Sequence, residues 1–425
     1  MPCSLRSIAS MAAWVIVATS HFGCCSDGRP QEVGDPNTDT YWAPWVTKTS
    51  TDSATINWRG NSSQSGAVDY ATTSYYERQQ KLDRIVTTAG AAWYQHVRLT
   101  GLEPSTSYTY RVRPAGNEQA FGVRTFRTMP VSGPFTFIVL SDSQEGHLYD
   151  ETMRFAYVAQ AIAREPDALF VLHGGDNARF DKASRWATFF QVADPLFARI
   201  AVFPVIGNHE YHNYDSSAGP PTQAKYFHSA YDVPLNYSFD CAGVRFIVLD
   251  SPDPNSADGD DPQSSLALAE SQASWLEGQL RAKTAGVFTM HHHPIWDDGT
   301  IVPNLNLQPW EDLYQAYRIS ATFAGHKHNY QSYVVGGTPH FIVGTAGGPC
   351  AELAELHPEG FRHGETRHLG YLRVTVDPDH NTATAEQIAV AAVTDDDSGE
   401  LPLVFDTPQI DDTLTFPLTR DAATP

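Results

Sequence analysis

Apolar and polar positions alternate with a period of two from Tyr41 to about Thr128. The segments ATINW (54–58), AVDYAT (67–72), YQHVRL (94–99) and YTYRVRP (108–114) are separated by turn-forming residues, and together they predict an all-β domain. Within LTGLEPSTSYTYRV (99–112), Leu102, Pro104 and Tyr108 have the spacing of a tyrosine corner, with Trp58 on an earlier strand as core. MPVSGP (129–134) breaks the pattern, and the period then changes. Strand-type runs FTFIVL (135–140), ALFVLHGGD (168–176) and IAVFPVIGNHE (200–210) alternate with helical stretches at 153–165 and 184–197. Further strands are expected within 243–251, 286–294, 319–328, 339–348 and 371–376. A helix is expected at 264–280, with Leu268, Trp275, Leu276 and Leu280 near one face. Strands alternating with helices indicate an α/β sheet core.

Composition refines this division. The chain has 425 residues, 41% of them hydrophobic, enough for a substantial core in more than one domain. Its 49 acidic and 28 basic residues give a net charge of -21, which argues against a nucleic-acid-binding surface. A small phosphate substrate stays compatible, because bound cations invert the local sign. Arg6 followed by the apolar stretch Met11 to Ala18 reads as an export signal over residues 1–25. Cys24, after a small residue, resembles a lipoprotein cleavage site, so a lipid-anchored membrane tether is one expectation. Periplasmic and extracellular locations are the others. Residues 26–40 read as a linker, and residues 391–425 as an acidic, loop-rich extension with one further strand pair. Of the five cysteines only Cys241 and Cys350 fall in the folded body. They read as buried thiols or as a disulfide.

The predicted strands end in polar clusters: SDSQ (141–144), HGGDN (173–177), GNHE (207–210), MHHHP (290–294) and GHKH (325–328). Ligand sites of open α/β sheets form outside the carboxyl ends of strands, so these clusters are expected to converge. Asp, Asn and His donors suit Zn, Fe or Mn better than a thiolate site would. Two carboxylates, an amide and at least three imidazoles exceed the needs of one tetrahedral ion. Two ions about 3.5–4 Å apart with a shared carboxylate would use them all.

The order D-x-(G/H), GD, GNH(D/E), HxP, GHxH resembles the calcineurin-like metallophosphoesterases. With the front domain similar to a fibronectin type III module, the chain resembles purple acid phosphatases and their bacterial relatives over about residues 41–376. The resemblance implies a fibronectin-type sandwich at 41–128 and a four-layer α/β/β/α sandwich at 134–390. It implies Asp142 as a ligand of the first metal and Asp176 as the bridge. Asn208 and His326 go to the second metal and His328 to the first. His292, two residues before Pro294, is the ligand of the MHHHP block. Alternation along an extended strand would send His291 and His293 to the other side, with His293 facing the substrate phosphate. His209 matches the histidine that contacts the phosphate or leaving group, and Glu210 is expected to orient it.

Two departures stand out. The purple enzymes place Tyr three residues after the bridging Asp, where this chain has Arg179. No tyrosinate–iron chromophore is therefore expected. Arg179 reads as a surface ion-pair residue or a phosphate clamp. Other members of the superfamily place His two residues after the first Asp, where this chain has Gln144. Gln144 either coordinates through its carbonyl oxygen or hydrogen-bonds a bound water. Two divalent or trivalent ions (Zn, Mn or Fe) are implied, with ferric iron disfavoured at the first site. The implied activity is hydrolysis of a small phosphate ester, monoester first, by a hydroxide held between the metals. A phosphodiesterase or nucleotidase on the same site, and a non-catalytic surface binding protein with a degenerate site, are the alternatives.

Overall fold

A computed structural model describes residues 41–144, 152–211, 224–251, 262–394 and 401–418. The expected signal and linker (residues 1–40), the acidic loop at 252–261 and residues 212–223 lie outside the described residues. Among the described residues no helix is long and apolar enough to cross a membrane.

The first seven strands are β1 (Trp42–Thr47), β2 (Ser53–Gln64), β3 (Gly66–Thr72), β4 (Arg84–Thr87), β5 (Ala92–Thr100), β6 (Ser107–Pro114) and β7 (Arg124–Arg127). Helix α1 (Thr73–Gln79) follows β3. They form two antiparallel sheets in the orders β1-β2-β5 and β4-β3-β6-β7. Ile56, Trp58, Val68, Val97 and Tyr108 fill the space between them. The Tyr108 hydroxyl accepts the Glu103 backbone N–H at 2.8 Å, closing the expected tyrosine corner.

The second domain contains β8 (Phe135–Leu140), α2 (Thr152–Ile162), β9 (Ala168–His173), α3 (Ala183–Phe197), β10 (Ala201–Pro204), α4 (Asn208–Tyr211) and α5 (Lys225–Tyr231). β11 (Tyr237–Cys241), β12 (Val244–Val248), α6 (Pro262–Leu280), β13 (Gly286–Met290), α7 (Gln308–Tyr317) and β14 (Ala321–Ala324) follow. β15 (Tyr330–Val335), β16 (Thr338–Val343), β17 (Phe361–Glu365), β18 (His368–Asp377), β19 (Thr382–Ala392) and β20 (Leu403–Pro417) complete it.

These strands make a six-stranded sheet, β10-β9-β8-β18-β19-β20, and a seven-stranded sheet, β11-β12-β13-β14-β16-β15-β17. Strands β8, β9 and β10 are mutually parallel, as are β12, β13, β14 and β16. Their unbroken apolar runs suit strands covered on both faces. The inner faces meet through phenylalanines: Phe137 lies 5.0 Å from Phe246 and 5.4 Å from Phe288, ring centre to ring centre. Each such side chain contributes roughly 1.5–3 kcal/mol on burial. Outside the first sheet, Ile138, Leu140, Val171 and Val202 pack under α2 and α3 through Phe155, Val158, Phe189 and Phe197. Outside the second, Ile247 and Leu249 pack under α6 and α7 through Leu276, Trp310 and Tyr314. The result is the four-layer α/β/β/α arrangement.

Several details differ from expectation. On α6 the buried face is Ala269, Leu276 and Leu280, while Leu268 is exposed. The tail is not loop-rich where described: β20 pairs along β19, which itself runs to Ala392. Cys241 and Cys350 are both free thiols. The sandwich packs directly on the second domain. Trp45 and Trp42 stack on Phe190 of α3, with ring centres 4.1 and 5.2 Å away. The Tyr110 hydroxyl donates to the Ala198 carbonyl across the same junction at 2.8 Å.

Candidate metal centre

Because β8, β9, β13 and β14 are parallel within their sheets, their carboxyl ends carry the polar clusters to one edge. The first two loops are stitched together: Asp142 N–H donates to Gly175 O, and Ser143 N–H to Asp176 O, each at 3.1 Å. Beneath them, His173 lies 2.9 Å from both the Ser143 hydroxyl and the Asn177 side-chain amide. Asp142, Asp176 and His326 take positive φ values of 60°, 54° and 69°. Such conformations are costly outside glycine and concentrate at functional sites. The neighbouring glycines serve space more than freedom. A Cβ on Gly207 would collide with the Asp176 carboxylate, and one on Gly325 with Ser141 and the Asp142 carboxylate.

Six expected ligands converge. His292 Nδ1 donates to the Gly174 carbonyl at 2.7 Å, which leaves a lone pair on Nε2. That lone pair faces Asn208 Oδ1 at 2.8 Å and Asp176 Oδ2 at 3.3 Å. His328 repeats the device: Nδ1 donates to the Pro349 carbonyl at 2.7 Å, and Nε2 faces Asp142 Oδ1 at 3.4 Å. His326 Nδ1 lies 3.1 Å from Asn208 Oδ1, and its backbone N–H donates to Asp142 at 2.9 Å. Lone pairs thus point at lone pairs and carboxylates in a buried space. Such an arrangement is stable only with positive charge at its centre.

The electrostatics agree. Burial alone would lower His292, but the Asp176 charge overrides it and holds the imidazole up at about 10, so that without an ion a proton takes up the Nε2 lone pair. His328 is likewise raised against burial by Asp142. Burial opposes ionisation of Asp176, yet His292 and His209 keep it well below the usual carboxylate range. Ligand-capable atoms of Asp142, Asp176 and His292 lie within 4.8 Å of one another, and so do those of His292, His293 and His326. The donor set and its charge fit metal cations.

His293 departs from the strand alternation. β13 stops at Met290, so residues 291–293 are no longer extended and need not alternate. His291 turns into the core between Trp310 and Tyr314 and is pushed down to about 4 by burial. His293 lies on the side of His292, its ring centre 4.4 Å from that of His326, with Nδ1 3.0 Å from the Ser251 hydroxyl.

Glu210 does not orient His209. Its carboxylate accepts three backbone N–H groups: Asp176 at 2.9 Å, Gly207 at 2.8 Å and Asn177 at 2.8 Å. Successive side chains on the helical turn of α4 diverge, so Glu210 faces inward while His209 faces the cleft. Burial, then the Asp176 charge, pushes the Glu210 carboxyl up to about 8. The group that orients His209 is the Arg179 carbonyl, 2.7 Å from Nδ1. Arg179 is itself buried rather than on the surface, with its guanidinium 5.3 Å from the Phe180 ring centre. Gln144 is buried, with Nε2 3.2 Å from Asp176 Oδ2 and 3.1 Å from His328 Nε2.

Sequence reasoning missed Ser251 and the carbonyls of Gly174, Arg179 and Pro349. Only Pro349 had a visible signal, the glycine-rich GTAGGP run after β16. A cleft of about 230 Å³ opens beside the centre, lined by His293, His326, Lys327, Asp297, Thr300 and Asn304 among others. Lys327 pairs with Asp297 at 3.0 Å on its wall.

Comparison with known proteins places these features in context. The calcineurin-like phosphoesterase family matches residues 135–330, and the purple acid phosphatase N-terminal domain matches residues 31–128. Purple acid phosphatase 21 of Arabidopsis thaliana is 23% identical over 312 residues, 65% of this chain and 66% of that protein. Purple acid phosphatase 23 of the same plant is 26% identical over 276 residues, 56% of this chain and 57% of that protein. The matched regions therefore span less than two thirds of these relatives. In fold, the chain resembles purple acid phosphatase PPD1 of yellow lupin (TM-score 0.67, 16% identity, 89% of this chain and 74% of that one). It resembles PhoD equally (TM-score 0.67, 17% identity, 92% of each chain).

Proposed function

Since the chain carries a calcineurin-like phosphoesterase domain and the N-terminal domain of purple acid phosphatases, we propose that it hydrolyses small phosphate esters, monoesters first, at a two-metal centre. The carrying observation is the set Asp142, Asp176, Asn208, His292, His326 and His328, whose lone pairs face one another across a buried space. Asp142 and His328 would hold one ion, Asn208, His292 and His326 the other, and Asp176 both. Bound ions there supply Lewis acidity, which makes a water nucleophilic near neutral pH and offsets phosphoryl charge.

The remaining work falls to the chain. The Gly174 and Pro349 carbonyls fix His292 and His328 with Nε2 inward. The Arg179 carbonyl fixes the His209 ring, so that Nε2 stands 3.8 Å from Asp176 Oδ2. From there a protonated Nε2 would donate to the leaving oxygen. His293 faces the phosphate from the cleft side, steadied by Ser251. The N-terminal domain shared with purple acid phosphatases is the support for a monoester. Export, with or without a lipid anchor, is part of this reading and rests on residues 1–25.

The test is steady-state hydrolysis of a matched aryl phosphate monoester and diester, with Zn, Mn or Fe supplied and Asp176→Asn and His209→Ala as controls. Turnover of the monoester, lost in both variants, is expected. Faster turnover of the diester would favour the phosphodiesterase alternative. Failure of a folded, metal-loaded protein to hydrolyse either ester would overturn the reading.

A further inference from the structure

Gln144 closes the first ion's site. We infer that it is a metal ligand through its amide oxygen, and that with it both sites are built for divalent ions; this rests on the two-metal reading above.

The side chain is 2% exposed, and its terminal amide stands between Asp176 and His328. The atom aimed at them is Nε2, while Oε1 has no hydrogen-bond partner among the described residues. The inward spot is one at which an amide nitrogen and an amide oxygen exchange with the presence of a cation. Without an ion, an Asp176 carboxylate oxygen faces the amide as an acceptor, and His328 Nε2 is a second acceptor when the ring is neutral, because Nδ1 is committed to Pro349. An NH₂ group satisfies both. With an ion, the same acceptors are occupied by metal, and a nitrogen donor there would be repelled. The last torsion of Gln is broad and roughly two-fold, so a half-turn exchanges nitrogen and oxygen with no other atom moving. The oxygen then joins Asp142, Asp176 and His328 around one point.

The other end of the amide is buried without a partner among the described residues, which is a cost. A Leu of similar volume would avoid it, so packing alone does not account for Gln here. The charge count sets the kind of ion. Asp142 and Asp176 are the only carboxylates in the proposed ligand set, and the other donors are neutral. Two divalent ions leave less uncompensated charge in this buried space than a pair containing a trivalent one.

The experiment is Mn²⁺ binding to the full chain by equilibrium dialysis, with electron paramagnetic resonance reading the coupled pair. Wild type, Gln144→Leu, Gln144→Glu and Asp176→Asn are compared. Wild type should bind two equivalents. Gln144→Leu should keep one at wild-type affinity, weaken the other by roughly tenfold or more, and lose the coupled signal. Gln144→Glu, which keeps an oxygen donor and adds charge, should retain both. Unchanged binding of both ions by Gln144→Leu, with Asp176→Asn losing the pair, would overturn this inference alone. Fewer than two ions in wild type, or no effect of Asp176→Asn, would overturn the two-metal reading and this inference together. A Gln144→Leu protein that does not fold leaves Gln144→Glu decisive, because loss of the coupled signal there contradicts an oxygen ligand at this position.

Discussion

The Arg179 carbonyl oxygen lies 2.7 Å from Nδ1 of His209, so one ring nitrogen is committed to the backbone and the other is aimed toward Asp176. His292 and His328 share this backbone anchoring, but their Nε2 atoms stand 2.8 Å from Asn208 and 3.4 Å from Asp142, whereas His209 Nε2 stands off at 3.8 Å from Asp176. His209→Ala should lower kcat by roughly 10²–10⁴, the usual worth of a general acid. Metal content should not change. Turnover and metal stoichiometry measured on the same preparation check it, and loss of an ion would show that His209 is a ligand after all.

Glu210 organises the centre through the backbone. Its carboxylate takes the N–H groups of Asp176, Asn177 and Gly207, which joins the bridging loop to the start of α4. Glu210→Ala leaves three buried donors unsatisfied, each costing about 1–3 kcal/mol. A stability loss of about 3 kcal/mol or more is expected in urea, with weaker metal binding as Asp176 is released. Glu210→Gln keeps one carbonyl oxygen and should lose less. Equal stability of Glu210→Ala and wild type would contradict this role.

The sequence reveals the centre because its ligands are the polar stops of apolar strands, and a parallel sheet brings such stops to one edge. As proposed ligands, Asp142, Asp176, Asn208, His292, His326 and His328 are legible from those stops together with the motif order they resemble. Roles that depend on where a strand ends or on how a helix turns are not. His293 changes side because β13 stops at Met290, and Glu210 turns from His209 because both stand on a helical turn. Carbonyl partners leave no trace in residue identity, so the Arg179 and Gly174 oxygens were invisible. The acidity of the C-terminal segment suggested a loop, but an edge strand such as β20 tolerates charge on its open side.

A histidine away from the centre gives the pH prediction. His368 Nδ1 on β18 lies 2.7 Å from Asp411 Oδ2 on β20, and this hydrogen bond raises the imidazole above its ordinary value. A raised histidine stabilises the fold while protonated. The contribution is full below its unfolded value of about 6.5 and is lost as pH rises through the raised folded value. Asp411→Asn should therefore lower the melting temperature more at about pH 5.5 than at about pH 9. A deficit independent of pH would mean that the pair contributes no charge-linked stability.

The junction between the domains is aromatic, and it leads toward the catalytic edge. Phe190 carries Trp42 and Trp45 on one side and Trp186 on the other, with the Trp186 ring centre 6.0 Å away. The Trp186 indole N–H donates to Asp181 at 2.9 Å, and Asp181 lies two residues from Arg179, whose carbonyl holds His209. Phe190→Ala should cost about 3–5 kcal/mol, as truncation of a buried Phe usually does. Because the ring supports both domains, wild type should unfold in one transition. The variant should show the sandwich and the catalytic domain separating, with activity lost before tryptophan fluorescence completes its change. Denaturant melts followed by both signals decide it: coincident curves in Phe190→Ala at unchanged stability would mean that the sandwich does not brace α3.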